Sequence, residues 1–236
     1  MRIVIIALPK GKKLLSKAYN IFKSAGYSSA DLELEIEGKE RKQLEYHSDN
    51  SEATFILVRI ADIPKYIDRN WADVGISAFD CYREYELSDV TAMNSMRGDN
   101  FITNIFPDLG LCDTARFCVA GRPGKSEFYE ACKMSDEKIL LAATQHPHIA
   151  ANYFKRQGIV ADIVTVSGSS ELMPNYGEVD VIFDIVETGR ALEENGLVIF
   201  EEAMKIKTKI LVSKAALKYD ECTNKIVEML KNVLIK

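Results

Sequence analysis

Apolar residues along the chain fall into short runs and helically spaced repeats, which predict alternating strands and helices. Residues 3–7 form a continuous run of mostly β-branched side chains, which is typical of a strand buried on both faces of a parallel sheet. Residues 14–22 then repeat leucine, alanine, isoleucine and phenylalanine at helical spacing. The loop between them contains Pro9, Lys10 and Gly11. The chain is therefore predicted to begin with a strand, a loop and a helix.

The same order recurs along the chain, and it predicts an α/β fold with a parallel sheet and right-handed crossovers. The further strands are predicted at residues 53–60, 72–77, 115–120, 138–144, 163–166, 197–200 and 206–212. The further helices are predicted at residues 62–69, 79–86, 147–157, 171–176 and 215–235. The strongly charged residues 31–51 alternate only weakly, and they predict short strands or an exposed arm.

A polar passage interrupts this pattern at residues 89–101, and we interpret it as a crossing between two α/β domains. The first domain is predicted to comprise residues 1–92 and 214–236, because the final amphipathic helix is expected to return to it. The second domain is predicted to comprise residues 93–213. Ligands commonly bind in the cleft between two such lobes, so the active site is expected there.

Composition narrows the class of protein. The 236 residues suffice for one large or two small domains, and the net charge of −5 argues against a general nucleic-acid binder. No apolar run is long enough to span a membrane, and the N-terminal run lacks the length and cleavage site of a signal peptide. The five cysteines contain no Cys-x-x-Cys pair, as expected for reduced thiols in a cytoplasmic protein without structural zinc. The predicted partners therefore include neither nucleic acid nor a membrane.

The segment from residue 180 to residue 197 carries the main candidate chemistry. An apolar run ends at Asp184 and Glu187, passes through Thr188 and Gly189, and opens an amphipathic stretch. Carboxylates in this position can face sugar hydroxyls or a metal, and loop amides before a helix can bind phosphate. The same pattern also occurs in ordinary connections between a strand and a helix that bind nothing.

Other candidates lie at the ends of predicted strands. Lys10 follows the first strand, where α/β sheets commonly bind ligands, although a solvated loop lysine is the simpler interpretation. Arg59 stands near the end of a buried strand. The residues 167–170, Ser-Gly-Ser-Ser, fit a phosphate- or hydroxyl-binding turn as well as they fit a simple helix cap.

Two further patterns are near misses. Residues 121–126 place two residues between their glycines, whereas a P-loop needs four, so Arg122 and Lys125 are expected to be turn residues. His146 and His148 have the spacing of a metal-chelating pair, but Pro147 between them favours the start of a helix. No protein-bound metal site is predicted.

Several separated segments, in order along almost the whole chain, resemble the ATP phosphoribosyltransferase family. They are Leu8-Pro9-Lys10-Gly11, Val58-Arg59 with Asp62-Ile63-Pro64-x-Tyr66, Ala72-Asp73-Val74-Gly75-Ile76 with Asp80, Ala120-Gly121, Ala143-Thr144 with Pro147-x-Ile149 and Tyr153-Phe154, Gly168-Ser169-x-Glu171-Leu172-x-Pro174, and Asp184-Ile185-Val186-Glu187-Thr188-Gly189-Arg190 with Asn195-Gly196-Leu197. The combination is specific, whereas each segment alone is not.

The resemblance implies a two-lobed fold of the periplasmic-binding-protein type (type II). It implies a pentosyltransferase, a class of glycosyltransferase, that catalyses the first step of histidine biosynthesis. The adenine N1 of ATP would attack the anomeric carbon of phosphoribosyl pyrophosphate, releasing pyrophosphate with inversion. Mg²⁺ bound to the substrate, together with cations and amides of the protein, would stabilise the separating charges.

The resemblance also implies roles for particular residues. Arg59 is expected to assist the leaving group, and Lys10 and Arg41 to hold pyrophosphate or triphosphate oxygens. Asp184 and Glu187 are expected near the ribose hydroxyls. The remaining residues implied to bind substrate are Thr188, Gly189, Arg190, Ala191 and Leu192 around the 5-phosphate, with Gly11, Gly168, Ser169 and Glu171.

The chain resembles the short form of the family, which works with a regulatory subunit related to histidyl-tRNA synthetases. Homo- and hetero-oligomers are therefore expected. Four positions depart from the family pattern: Ala191 for a usual threonine, Gln145 and Phe79 for usual lysines, and residues 111–113, which lack a usual basic residue. Because three of these departures remove positive charge, the alternative is a weak or inactive paralogue that acts as a cytoplasmic nucleotide- or anion-binding protein.

Overall fold

The structure is a computed structural model that describes residues 2–39, 43–88, 102–176 and 179–235. The chain forms two compact units. One comprises Met1–Leu111 together with Lys207–Lys236, and the other comprises Cys112–Ile206. We refer to these as the first and second units.

The strands are β1 (Val4–Pro9), β2 (Glu45–His47), β3 (Ala53–Val58), β4 (Val74–Ala78), β5 (Ile102–Thr103), β6 (Arg116–Gly121), β7 (Ile139–Thr144), β8 (Val160–Thr165), β9 (Val181–Val186), β10 (Val198–Lys205) and β11 (Thr208–Ser213). The helices are α1 (Lys12–Ser24), α2 (Ala30–Glu37), α3 (Ile63–Asp68), α4 (Phe79–Leu87), α5 (Ser126–Lys133), α6 (Pro147–Arg156), α7 (Met173–Tyr176), α8 (Arg190–Glu194), α9 (Lys214–Tyr219) and α10 (Glu221–Leu234). Short 3₁₀ turns occupy Ile60–Asp62, Pro123–Lys125 and Ser170–Leu172.

The first unit is built on a sheet with the strand order β2-β3-β1-β4-β11-β5. Strands β3 and β4 run parallel to β1, whereas β11 is antiparallel to β4. Gly75 on β4 has a structural requirement, because a Cβ atom there would lie 2.9 Å from Ile63 and 3.0 Å from the Ala7 carbonyl oxygen. The glycine thus allows α3 to pack closely on the centre of the sheet.

Helices cover this sheet with the apolar faces that the sequence pattern predicts. Tyr19 and Phe22 of α1 contact Phe55 of β3 edge-on, with ring centroids 5.6 and 6.2 Å apart. Helix α10 adds Ile226 and Leu230 to the same buried cluster. Burial of such apolar area is the main source of stability for the unit.

The second unit has a five-stranded sheet in the order β10-β6-β9-β7-β8. Strands β7, β8 and β9 are parallel, whereas β6 is antiparallel to both β9 and β10. Phe117 stacks on Phe183 across β6 and β9, with centroids 5.0 Å apart, and Phe154 of α6 packs against Phe183. These rings fix β9, the strand that leads into the candidate site.

A partly buried polar network joins the edge strand β10 to the helices of the second unit. Glu201 accepts hydrogen bonds from Tyr153 (2.6 Å), Tyr129 (2.9 Å) and Lys133 (2.6 Å). Burial raises the pKa of Glu201, but the bonds from Lys133, Tyr153 and Tyr129 outweigh burial, so the pKa lies below its ordinary value. The carboxylate therefore holds α5, α6 and β10 together.

Three predictions about local structure were wrong. Both sheets are mixed rather than parallel. Residues 31–51 contain the helix α2, because Ser29 caps it and Gly38 ends it in the left-handed conformation (φ 77°). The single helix predicted at residues 215–235 is divided at Asp220, whose side chain accepts from the backbone N–H groups of residues 222 and 223 and starts α10.

The division between the units also differs from the predicted boundaries of 93 and 213. Strand β11 belongs to the first unit, because it pairs with β4 and β5 in the sheet of that unit. The polar passage at residues 89–101, which we interpreted as the crossing, lies outside the described residues. The boundaries instead fall at residues 111–112 and 206–207. Sequence composition does not indicate a division at these positions, because polar and apolar residues are mixed on each side of them.

Candidate active site

The candidate site is formed where β9 ends and α8 begins. The buried residues of β9 lead to Asp184 and then to a loop formed by Glu187, Thr188 and Gly189. Gly189 has φ 82°, a left-handed conformation that favours glycine, and its carbonyl oxygen accepts from the N–H groups of Leu192 and Glu193. This turn directs the loop backbone toward the space in front of the strand.

A cavity of about 420 Å³ lies beside this loop, entirely within the second unit. It is lined by Gln145, His146, Ser170, Glu171, Ile182, Asp184, Ile185, Val186, Glu187, Thr188, Gly189, Ala191 and Leu192. Its walls come from the ends of β7 and β9, the 3₁₀ turn at Ser170–Leu172 and the first turn of α8. A volume of this size suits a small phosphorylated sugar.

Asp184 is the most enclosed carboxylate of the cavity, with 9% of its surface exposed. Its Oδ1 accepts from the backbone N–H of Ile185 (2.7 Å), and its Oδ2 accepts from the hydroxyl of Ser170 and from the amide of Gln145 (3.4 Å). An enclosed carboxylate needs such donors, since burial without them is costly. The opposite residue on β6, Cys118, is buried, and burial raises the pKa of its thiol, which leaves it unsuited as a nucleophile.

Glu187 lies at the exposed rim of the cavity. Its Oε1 accepts from the Thr114 hydroxyl (3.4 Å), and its backbone carbonyl accepts from the Arg116 guanidinium (3.4 Å). Arg116 also pairs with Glu202 on β10 (2.6 Å). The start of the loop is thus tied to the neighbouring strands, while the carboxylate remains accessible to a ligand.

The charge of the cavity is unusual for a phosphate-binding region. Among the described residues, the lining includes the carboxylates Glu171, Asp184 and Glu187 but no lysine or arginine. Arg190, which follows the loop, is largely exposed and pairs instead with Glu194 (2.7 Å). Carboxylates accept hydrogen bonds from sugar hydroxyls, so the site suits a ribose, and an anionic ligand would need backbone amides or an accompanying cation.

Backbone amides are available in the loop. Within the described residues, the N–H groups of Thr188, Gly189 and Ala191 have no intramolecular acceptor, and that of Arg190 makes only a long contact with the Thr188 hydroxyl (3.4 Å). Unpaired N–H groups at such a turn are good donors to an anion.

The first unit holds the other predicted residues that the structure describes. Lys10 and Arg59 follow β1 and β3, which are paired in parallel so that Pro9 lies opposite Val58. The Lys10 N–H donates to the Val58 carbonyl (2.9 Å). The side chains of Lys10 and Arg59 are both exposed at this edge of the sheet. Gly11 starts α1. Arg41 lies outside the described residues.

The cavity brings together most of the predicted binding residues of the second unit. Glu171, Asp184, Glu187, Thr188, Gly189, Ala191 and Leu192 line it, whereas Gly168, Ser169 and Arg190 do not. Sequence reasoning included Ser170 in the candidate turn of residues 167–170 but gave it no role of its own, and it did not assign His146 to the site. His146 stands at the start of α6, as expected from Pro147, and it is half-buried and packs edge-on against Phe117 (5.0 Å). Its position just after β7 was the available signal.

Two kinds of feature are absent from the residues that the structure describes. No group of three or more histidine, cysteine, aspartate or glutamate side chains in the described ranges is arranged to hold a metal ion. No helix within the same ranges is long and apolar enough to span a bilayer.

Comparison with known proteins supports one family. The family model for ATP phosphoribosyltransferase (HisG) matches residues 59–233. The ATP phosphoribosyltransferase of Bacillus cereus (strain ATCC 10987 / NRS 248) is 36% identical over 218 residues, which cover 92% of this chain and 90% of that protein. A Bacillus anthracis ATP phosphoribosyltransferase has the same identity and coverage.

Solved structures agree with this assignment. The ATP phosphoribosyl transferase (HisG:HisZ) complex of Thermotoga maritima contains a chain that is 26% identical, with a TM-score of 0.69 and 98% of each chain covered. A Candida albicans protein with the generic periplasmic binding protein fold has a TM-score of 0.55 at 9% identity, over 98% of this chain and 70% of that chain, and shows the fold alone. The predicted type II periplasmic-binding-protein fold is therefore confirmed, and the chain belongs to the ATP phosphoribosyltransferase family.

Proposed function

We propose that this protein transfers a phosphoribosyl group from phosphoribosyl pyrophosphate to N1 of the adenine of ATP, releasing pyrophosphate and inverting the anomeric carbon. This is the first step of histidine biosynthesis. The observation that carries the proposal is the cavity in which Asp184 and Glu187 stand beside the loop of residues 188–192, in a chain that belongs to the family.

In this proposal the two carboxylates orient the ribose. Asp184 is held by three protein donors at the floor of the cavity, and Glu187 is tethered at its rim. Both accept hydrogen bonds from ribose hydroxyls. Because positive charge develops on the ribose ring as pyrophosphate departs, nearby carboxylates also stabilise the transition state electrostatically.

The 5-phosphate is assigned to the loop amides. The N–H groups of Thr188, Gly189 and Ala191 have no acceptor among the described residues, and they lie on the wall of the cavity. A phosphate bound there would keep the anomeric carbon at a fixed distance from the loop. Holding a reacting atom in place in this way lowers the entropic part of the barrier.

The departing pyrophosphate needs positive charge, which the described residues lining the cavity do not supply. We assign this role to Arg59, with Lys10 and Arg41 holding further phosphate oxygens, on the basis of the family resemblance. Mg²⁺ is expected to arrive bound to the substrate phosphates, since this ion usually takes only one or two protein carboxylates together with phosphate oxygens and water. The carboxylates Asp184 and Glu187 fit such a partial shell.

The proposal includes a regulatory partner and a cytoplasmic location. The chain resembles the short form of the family, and the structure with a TM-score of 0.69 is a HisG:HisZ complex. We therefore expect a hetero-oligomer with a subunit related to histidyl-tRNA synthetases, in which each protein type also self-associates.

The experiment is a pyrophosphate-release assay with ATP, phosphoribosyl pyrophosphate and Mg²⁺, run with and without the regulatory subunit. Release that requires both substrates, and that falls strongly in Asp184→Asn, supports the proposal. A folded protein that binds either substrate but releases no pyrophosphate in either condition would instead be a nucleotide- or anion-binding protein, and the proposal would fail.

A further inference from the structure

The environment of Asp184 contains a donor whose role the family resemblance does not assign. Only 9% of the surface of Asp184 is exposed, yet Asp184 lines the cavity. A carboxylate in that position keeps one orientation only if hydrogen-bond donors hold it. The identity of those donors therefore decides whether Asp184 can serve a ligand.

The hydroxyl of Ser170 is one of these donors. Ser170 is only 2% exposed, and its Oγ lies within hydrogen-bonding reach of Asp184 Oδ2. An ionised carboxylate can only accept, so the serine is the donor of this bond. The hydroxyl thus has its proton directed at the carboxylate rather than at solvent.

The local backbone places Ser170 for this contact. Ser169, just before it, adopts the left-handed conformation with φ 50° and ψ 40°, which residues other than glycine rarely adopt. The 3₁₀ turn that follows is closed by the Leu172 N–H donating to the Ser169 carbonyl (3.1 Å). The turn brings Ser170 against β9 from a segment 14 residues earlier in the chain.

The other two donors do not replace it. The Ile185 N–H binds the opposite oxygen, Oδ1, at 2.7 Å. Gln145 reaches Oδ2 only at 3.4 Å, and its side chain belongs to an exposed residue. Without Ser170, the oxygen Oδ2 would keep a single long contact, and the orientation of the carboxylate would no longer be fixed on that side.

We propose that Ser170 is a positioning residue for Asp184: its buried hydroxyl fixes the orientation of the carboxylate that accepts a hydroxyl of the phosphoribosyl substrate. The inference rests on the proposed function, because it assigns a substrate to Asp184. In this role Ser170 acts on the substrate through the Asp184 carboxylate. Its removal should therefore weaken binding of phosphoribosyl pyrophosphate and leave ATP binding unchanged.

The test measures binding of phosphoribosyl pyrophosphate with Mg²⁺ to the full-length chain by calorimetry, together with KM and kcat for both substrates. Ser170→Ala should raise the Kd for phosphoribosyl pyrophosphate roughly tenfold to a hundredfold, the usual effect of losing a hydrogen bond to a charged group. Ser170→Thr keeps the hydroxyl and should restore most of the affinity. Ser135→Ala, a serine of the same unit outside the cavity, is the matched control.

A double-mutant cycle separates positioning from general stability. If Ser170 acts through Asp184, Ser170→Ala should add little to the binding defect of Asp184→Asn, so that the two effects are not additive. Ser170→Cys keeps the shape of the side chain, in a slightly larger form and with a weaker donor, and it replaces Ser170→Ala in the cycle if the alanine variant fails to fold.

The outcomes distinguish failure of the proposed function from failure of the role proposed for Ser170. If the wild-type chain neither binds phosphoribosyl pyrophosphate nor turns it over with its partner, the proposed function fails. If the wild-type protein binds and converts phosphoribosyl pyrophosphate, but Ser170→Ala and Ser170→Cys bind it as tightly as the control Ser135→Ala does, the positioning role is refuted. Additive effects of Ser170→Ala and Asp184→Asn would refute it as well.

Discussion

Removing the carboxylate of Glu201 should destabilise the second unit strongly, because three donors converge on it. Tyr129 is fully buried and Tyr153 is 7% exposed, so Glu201→Ala would remove the carboxylate acceptor from two largely buried hydroxyls, at about 1–3 kcal/mol each. Lys133 would lose its partner as well. We expect a loss of about 3–5 kcal/mol in the free energy of unfolding, most of it from the two hydroxyls, because the ion pair itself is partly exposed.

The assay is thermal unfolding, with the neighbouring Glu202→Ala as control. For a chain of this length each kcal/mol corresponds to about 2–4 °C, so Glu201→Ala should lower the Tm by roughly 6–20 °C. Glu202 is mostly exposed in its pair with Arg116, and its removal should cost about 0–1 kcal/mol. If both variants melt within about 2 °C of each other, the network does not stabilise the unit.

The same carboxylate predicts a pH dependence. The pKa of Glu201 is lowered in the folded protein, so its contribution to stability is complete above the unfolded-state pKa of about 4.3 and is lost as the pH falls through the lower folded-state pKa. The difference in Tm between wild type and Glu201→Gln should therefore be constant near neutral pH and shrink below about pH 4. A difference that stayed constant in acid would contradict this assignment.

Two predictions concern the site. Ala191→Thr would add a hydroxyl beside the loop amides, where it could donate a new hydrogen bond to the 5-phosphate. Steady-state kinetics should then show a KM for phosphoribosyl pyrophosphate that is lower by roughly tenfold or more. An unchanged KM would mean that the phosphate binds elsewhere. Arg59→Ala should lower kcat by roughly a hundredfold or more if Arg59 stabilises the leaving group, whereas Arg69→Ala, an exposed arginine of the same unit, should have little effect. Equal rates for the two arginine variants would remove Arg59 from the mechanism.

Much of the strand and helix order could be predicted from the sequence, because buried strands such as β1 and β3 are continuous apolar runs. The sheet order could not be predicted, since it depends on pairing between distant segments: β11 returns to β4 of the first unit, and β6 lies between β9 and β10. Helix α2 was missed because three apolar residues in its short sequence happen to alternate, and its caps decide the structure instead.

The candidate site could be predicted only where its residues are neighbours in the sequence. Asp184 and the loop after it are contiguous in sequence, so their shared position follows from local pattern. Ser170 comes from a separate turn, and its contact with Asp184 depends on the left-handed conformation of Ser169. No periodicity signals that conformation in a serine. The pairing of Arg190 with Glu194 follows from the four-residue spacing of the two within one helix, so that contact could have been predicted.

The most direct test of the central claim is identification of the nucleotide formed from ATP and phosphoribosyl pyrophosphate. The protein with its regulatory subunit should yield one product whose mass equals ATP plus a phosphoribosyl group, with the ribose joined to adenine N1 in the inverted configuration, and one pyrophosphate for each product molecule. Pyrophosphate release without that nucleotide, or substrate binding with neither product, would contradict the account.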